Sequence, residues 1–350
     1  MAVLLITGGA GFIGSHCAHI FLKAGYELII VDSLINSSIE SVKRVSLLNG
    51  NKLQFNDQIK FIQGDIRDID LLKKIFKDAY AHKKIDGVIH LAGLKAVGES
   101  VQNPLMYWDV NVNGSRNLFQ IMNEFNCFNL VFSSSATIYG YPKKIPISEE
   151  ENISPINPYG NTKAAVEKIL YDLYLSNKNS WKIINLRYFN PIGAHPSGLI
   201  GESPLGEPNN IFPLLCKVAL KKLKKINIFG SDWSTKDGTC IRDYIHVMDL
   251  AEGHYSAIRY LIDAKPQYLS LNLGTGNGIS VLSLINNFEK INGVDIPFTI
   301  TNRREGDAAI SIASADLALQ VLNWKARRGI YEMCKDGWNW QVNNPDGFDQ

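Results

Sequence analysis

Cysteine is scarce and scattered. Five residues (Cys17, Cys127, Cys216, Cys240 and Cys334) in a chain of 350 form no CxxC pair. That excludes a disulfide framework and a cysteine-built zinc site, and points to reduced thiols in a cytosolic compartment. Charge of one sign is missing as well: 36 basic against 34 acidic residues leave a net charge of +2. This balance calls for neither nucleic acid nor an anionic membrane as partner, although a local basic site can still hold a phosphorylated small molecule. No apolar run approaches the ~20 residues of a membrane span. The opening MAVLLITGGAG has no basic segment ahead of its short apolar run and glycines straight after it, so no signal peptide is expected. Internal repeats and low-complexity tracts are lacking too, and the seven histidines show no metal-ligand spacing and read as structural. What remains is a soluble, cytoplasmic, globular chain. Its 45% apolar and 20% charged residues exclude a disordered one. At roughly 150 residues per domain the length suggests about two domains.

Short β-branched runs alternate with longer amphipathic stretches over the first 190 residues. Residues 3–7, 27–32, 59–65, 87–92, 130–133 and 183–189 read as strands, with helical patterns at 15–24, 68–82, 104–126 and 159–177. This alternation predicts a doubly wound parallel α/β sheet of Rossmann type. Residues 191–240 are rich in Pro, Gly and Asn, as in a loop-rich insertion over an active site. Residues 271–274 look like a further strand. The expected division is a nucleotide-binding domain over 1–190 with return segments near 241–275, and a smaller α/β substrate domain over 191–240 and 276–350. The basic run Lys221, Lys222, Lys224 and Lys225 reads as a solvated helix end.

Directly after the first strand stands Gly8-Gly9-Ala10-Gly11-Phe12-Ile13-Gly14. Gly9, Gly11 and Gly14 fit GxGxxG, and Gly8, Gly11 and Gly14 fit GxxGxxG. Glycine is required where the chain turns tightly and a pyrophosphate touches backbone at a helix N-terminus. Asp32 closes the second strand 18 residues after Gly14, where a carboxylate accepts the ribose hydroxyls and repels the 2′-phosphate of NADP. Strand, glycines, helix and acid together indicate NAD.

Tyr159 and Lys163 form a Tyr-x-x-x-Lys pair, and the i, i+4 spacing puts both on one helical face. A phenol with an ordinary pKa of ~10 is a weak base at neutral pH. A neighbouring ammonium and a positive nicotinamide both favour its ionised form. Ser133-Ser134-Ser135-Ala136-Thr137 ends the preceding strand, at the edge of a sheet where ligands bind. A serine cluster of this kind is equally at home in a turn.

TGGAGFIG (7–14), HLAGLKAVGESV (90–101), FSSSATIYG (132–140), NPYGNTK (157–163), LRYFNPIGAHPSG (186–198), RDYIHVMDLAEGH (242–254) and RREGD (303–307) resemble the UDP-glucose 4-epimerases, a family of the extended short-chain dehydrogenase/reductases. The resemblance runs from residue 3 to about residue 345. It implies an NAD-dependent isomerase that interconverts UDP-glucose and UDP-galactose by transient oxidation at C4, in a cytoplasmic homodimer formed through the 104–126 and 159–177 helices. Tyr159 would be the base on the sugar 4-hydroxyl, with Ser135 holding or relaying its proton and Lys163 on the nicotinamide ribose. Cofactor contacts would come from Gly8, Gly11, Phe12, Ile13, Gly14, Asp32, Asn36 and Ser37. Asp65, Ile66, Leu91, Ala92, Gly93, Lys95, Asn111 and Phe189 would complete them. Asn190, Asn210, Phe229, Arg242, Arg304 and Asp307 would hold the UDP-sugar together with Ser135 and Ser311. A planar guanidinium fork does suit a diphosphate. No metal is implied.

Four residues after Asp307 stands Ser311, where some epimerases carry a tyrosine against the sugar. The family pattern links a small residue here with room for an N-acetyl group at C2, which makes UDP-GlcNAc and UDP-GalNAc a further expected substrate pair. Two other readings compete. One is a nucleotide-sugar 4,6-dehydratase or decarboxylase of the same fold, although relatives of the dehydratase kind place acidic residues where Ala136 and Thr137 stand here. The other is a non-catalytic NAD-sensing module, which would have no need of a Tyr–Lys pair beside a serine.

Overall fold

The structure, a computed structural model, describes residues 2–50, 58–206, 208, 210–304 and 306–348. Met1 and Glu305, which belong to the MAVLLIT and RREGD strings, lie outside the described residues. Among these residues the chain forms β1 (Val3–Thr7), β2 (Glu27–Asp32), β3 (Ile59–Gln63), β4 (Gly87–His90), β5 (Asn129–Ser135), β6 (Lys182–Tyr188) and β7 (Asn190–Ile192). Then follow β8 (Ile226–Phe229), β9 (Ile241–His246), β10 (Gln267–Leu273), β11 (Gly278–Ser280), β12 (Phe298–Thr301) and β13 (Ile310–Ser311).

Seven strands make one parallel sheet in the order β10-β6-β5-β4-β1-β2-β3. β1 is apolar along its whole length because both of its faces are covered. Alternate side chains enter opposite layers. Leu4 and Ile6 join Cys17, Phe21, Ile258 and Leu261 on one face. Val3 and Leu5 join Leu72, Phe119, Val166 and Leu170 on the other. From β1 the chain builds outward through β2 and β3, then returns to place β4 on the other side of β1. This reversal opens a crevice at the carboxyl ends of β1 and β4, the place where such sheets bind ligands.

A smaller sheet runs β11-β9-β13, with β7 also on β9, while β8 and β12 pair separately. A third apolar core lies beneath it, built on Phe212, Leu215, Tyr244, Leu284, Phe288 and Met333. The expected loop-rich insertion over 191–240 therefore carries β7, the helix Ile211–Ala219 and β8. Of the expected return segment, β9 belongs to the smaller sheet. The helix Val247–Asp263 and β10 join the large one. The single helix expected over 104–126 is divided into Pro104–Tyr107, a π-helical stretch Trp108–Asn113, and Gly114–Glu124. In the basic run, Lys221 takes a left-handed φ of 60° after the helix Ile211–Ala219, and Lys222 Nζ donates to the Pro345 carbonyl at 2.6 Å.

Candidate active site

The glycine loop is packed so tightly that side chains would strike backbone. Gly8 has φ +71°, and a Cβ there would lie 2.7 Å from the Ala92 amide nitrogen. At Gly14 a Cβ would lie 2.2 Å from the Gly8 carbonyl oxygen. The turn is thus packed onto its own helix and onto residues 91–92 after β4, which brings Leu91, Ala92 and Gly93 against the loop. The helix Phe12–Lys23 begins at Gly11 with no side-chain cap and no acidic residue in its first turn. Its leading N–H groups, those of Phe12, Ile13 and Gly14, are the ones a helix cannot use internally, and they suit an anion.

Asp32 is buried at the end of β2. Its Oδ2 accepts the Ala10 N–H (2.9 Å), and its Oδ1 accepts the Leu34 N–H (2.9 Å) and the Ser37 hydroxyl (2.7 Å). A carboxylate offers about four acceptor positions, so one remains for a ribose hydroxyl. Ser37 therefore serves by holding Asp32. Asn36 Oδ1 accepts the Leu205 N–H at 2.8 Å, which draws the segment beyond residue 199 over this loop.

Across the crevice, Asn111 sits in the π-helical stretch and is buried. Its Oδ1 accepts the Leu94 N–H (2.7 Å), and its Nδ2 donates to the Leu94 carbonyl (3.0 Å) and to Thr162 Oγ1 (3.0 Å). One amide thus fixes the strand-end loop 91–95 to the helix that carries Tyr159, and π-helical insertions of this kind favour functional positions. Asp65 is partly exposed and chelates Arg67 (2.7 Å), which holds its carboxyl below the usual range. Ile66 is buried against Gly114. Lys95 Nζ reaches Glu202 at 2.9 Å, and the same Glu202 oxygen accepts the Asn210 amide at 3.3 Å. A residue expected on the cofactor and one expected on the substrate are thus joined through a carboxylate.

The helix Pro158–Ser176 starts at Asn157, whose side chain accepts the Gly160 N–H at 2.8 Å, with Pro158 in the first helical position. Tyr159 is half-buried and its N–H donates to Ser100 Oγ (3.2 Å). Burial raises its phenol pKa, and a hydrogen bond with Ser135 pulls it back. Ser135 Oγ also accepts the Thr137 N–H (3.3 Å) and hydroxyl (3.0 Å). Lys163 Nζ donates to the Ser133 carbonyl at 2.6 Å and lies 4.9 Å from the Phe132 ring centre. Burial lowers its pKa to about 8, against the opposing pull of Glu167. The serine cluster is the end of a strand rather than a turn. Ser134 bonds Glu167, while Ser133 and Ser135 lower the phenol pKa of Tyr188 and Tyr159 respectively.

The expected UDP residues divide into groups. Arg242 on β9 is partly buried; its Nη1 donates to the Ala308 carbonyl (2.7 Å) and its Nη2 lies 3.4 Å from Asp307. Arg304 reaches the same Asp307 oxygen at 2.9 Å and lies 5.4 Å from the Phe229 ring centre. Ser311 is in register with Arg242 across the β13–β9 pair. Arg242, Arg304, Asp307, Phe229 and Ser311 therefore form one neighbourhood. Asn190 opens β7, immediately after the buried Phe189, whose N–H bonds the Leu273 carbonyl (3.2 Å). Asn210 stands directly before the helix Ile211–Ala219, with its side chain turned to Glu202 and not capping the helix. Ala136 and Thr137 begin the short turn Ala136–Tyr139, and neither offers a carboxylate.

Sequence reasoning missed Thr162, Glu167, Arg187 and Glu202. Glu167 repeats the four-residue step of Tyr159 and Lys163 and was detectable on that ground. Arg187 and Glu202 meet their partners only through the fold.

A family model described as GDP-mannose 4,6 dehydratase matches residues 5–337. UDP-glucose 4-epimerase 2 of Arabidopsis thaliana is 52% identical over 348 residues, spanning 99% of this chain and 96% of the relative. A crystal structure of UDP-glucose 4-epimerase from Bifidobacterium longum, in complex with NAD+ and UDP, superposes with a TM-score of 0.92 at 45% identity over 99% of this chain and 100% of that one. The corresponding protein of Stenotrophomonas maltophila, with bound NAD and formylated UDP-arabinopyranose, gives 0.93 at 44% identity over 99% of both chains. Within the wider group covered by the dehydratase model, the chain belongs to the UDP-glucose 4-epimerase family.

Proposed function

We propose that this protein interconverts UDP-glucose and UDP-galactose, with NAD retained through each turnover. The observation that carries the reading is the convergence of Tyr159, Lys163 and the end of β5 beside a tightly packed glycine turn that opens an uncapped helix N-terminus. Bound there, NAD supplies the reversible oxidation at C4 of the sugar. Tyr159 takes the proton of the 4-hydroxyl and gives it back, and Ser135 holds that proton in line. Lys163, fixed by the Ser133 carbonyl, supplies the positive charge that favours the phenolate. Asp32 accepts the adenosine ribose, and Arg242 and Arg304 grip the diphosphate. Sugar and diphosphate have separate sets of partners, which leaves the sugar loose enough to turn over while the UDP stays anchored.

A 4,6-dehydratase needs a further acid/base pair near the sugar, and Ala136 and Thr137 offer none. Incubation of purified protein with UDP-galactose and no added NAD, followed by chromatography of the nucleotide sugars, tests the reading. UDP-glucose should appear up to a fixed ratio. Persistence of UDP-galactose even after NAD is supplied would overturn it.

The finer readings follow the same logic. The division we propose is a nucleotide-binding part over 1–190 with return segments near 241–275 and a substrate part over 191–240 and 276–350, with β9 and its Arg242 going with the substrate part because β9 lies in the smaller sheet. Ser311, small and beside Arg242, leaves room for the N-acetyl group of UDP-GlcNAc and UDP-GalNAc. Unchanged turnover of the acetylated pair by Ser311→Tyr would remove that claim. A homodimer through the helices at 104–126 and 159–177 is supported by Leu105 and Leu175, 82% and 42% exposed, and a one-chain mass in sedimentation would exclude it. Five buried free thiols favour a reducing, cytoplasmic setting. Among the described residues no helix is long and apolar enough to cross a membrane.

A further inference from the structure

Tyr159, Lys163 and Glu167 follow one another at four-residue steps along the helix Pro158–Ser176, so they form a single stripe. Each meets one residue of the β5 end. Tyr159 lies beside Ser135, which lowers its phenol pKa, Lys163 bonds the Ser133 carbonyl at 2.6 Å, and Glu167 Oε1 accepts the Ser134 hydroxyl at 2.5 Å. The first two rungs face the crevice. The third is closed inside the protein by Arg187 on β6, whose Nε donates to Oε1 (3.0 Å) and Nη2 to Oε2 (2.7 Å), with both side chains at most 5% exposed. The remaining guanidinium nitrogen, Nη1, donates to the Tyr139 hydroxyl (2.9 Å) and the Glu149 carbonyl (3.2 Å). Tyr139 donates in turn to Asn272 on β10 (2.7 Å). Four of the five guanidinium N–H groups and both carboxylate oxygens have named partners within the protein.

A buried ion pair is a weak source of stability, since apolar side chains of similar volume in its place are often neutral or stabilising. A bidentate pair does supply fixed distance and direction. We propose that Glu167 and Arg187 are positioning residues for the proton-transfer step: they lock the catalytic helix to the end of β5 and thereby set the Tyr159–Ser135 and Lys163–Ser133 geometry. Neither touches substrate or cofactor. The inference rests on the epimerase reading above.

Three variants test it: Glu167→Gln, the double variant Glu167→Leu/Arg187→Met, and Ser134→Ala. Glu167→Gln keeps the shape but sets an amide against Arg187. The double variant removes both charges together and keeps the core filled. Ser134→Ala deletes one rung and leaves the ion pair intact, so it decides the matter should either of the others fail to fold. For each, melting temperature, NAD content, kcat and KM for UDP-galactose are measured beside the parent. The expected result is a folded, NAD-loaded enzyme whose kcat falls about ten- to a hundred-fold, the scale of a small misplacement of reacting groups, while KM holds. Variants equal to an active parent in kcat, whatever their melting temperature, would overturn the proposal. So would a fall in kcat matched by a rise in KM or a loss of NAD, which marks general damage to the crevice. Failure of the epimerase reading is distinguishable, because the parent itself would then be inactive.

Discussion

Burial drives Tyr159 and Lys163 toward their neutral forms, and the site must reverse this for one of them. Desolvation penalises whichever form is charged, so it raises the phenol and lowers the ammonium to about 8. Below that value Lys163 carries its charge and favours the phenolate. As pH rises through it the charge is lost, and proton removal by Tyr159 becomes harder. Turnover should therefore decline as pH rises above about 8, checked by kcat between pH 6 and 10. Tyr159→Phe should lower turnover by about 10²- to 10⁴-fold, the usual contribution of a positioned acid/base group, with NAD still bound. Full turnover by that variant would remove Tyr159 from the mechanism. At this scale the sequence is informative where the chemistry is local. The Tyr–Lys step and the glycine spacing lie within five or seven neighbouring residues, and the resemblance extends them to the arginines. It names Lys95 but not the pairing of Lys95 with Glu202, 107 positions away.

Elements expected from continuous apolar runs have the bounds of β1 and β2 to the residue. The helix Val247–Asp263 was not anticipated, because its inward side carries Asp249, Gly253 and His254 among the apolar residues and so blurs the 3.6-residue period. Asp249 accepts the N–H groups of Arg327 (3.0 Å) and Arg328 (2.8 Å), contacts that only the folded chain supplies. The π-helical stretch was equally hidden, since its composition is that of an ordinary helix. The start of the catalytic helix gives a direct test at this scale. Asn157 is buried and its side chain caps the Gly160 N–H. Asn157→Ala should cost about 1 kcal/mol of stability, read as a lower urea midpoint with unchanged slope. An unmoved midpoint would mean that Pro158 and tertiary packing already hold the helix start.

Across the whole molecule, stability is tied to histidines kept neutral. His16, His90 and His254 are wholly buried, and burial lowers them to about 3, about 3 and about 4. His90 shares hydrogen bonds with Thr7 (2.7 Å) and Ser115 (2.8 Å), and His254 with Tyr188 and the Leu250 carbonyl. His16 uses one nitrogen on the Phe12 carbonyl (2.7 Å), and its Nε2 has no partner among the described residues. The folded values lie below the unfolded value of ~6.5. Their contribution is therefore complete above pH 6.5 and is lost as pH falls toward 3 to 4. Each should subtract about 2 kcal/mol by pH 5. Unfolding free energies at pH 7 and pH 5 check this, and His90→Gln should flatten the slope by one proton. Equal stability at the two pH values would show that these histidines take up protons without unfolding.

Three of the passes that stitch the large and small sheets together are short. Phe189 alone separates β6 from β7, nothing separates β9 from the helix Val247–Asp263, and four residues lie between β10 and β11. Domain closure of the hinge kind relies on a few connecting residues that absorb large changes in φ and ψ, and these seams leave little slack for it. The crevice behaves as a mould of nearly constant width rather than a grip that tightens. A sugar that turns over inside it must do so within a volume set by single side chains, of which Ser311 is the one proposed above. Tolerance for a bulkier ring is then decided by local space and not by how far two lobes can swing.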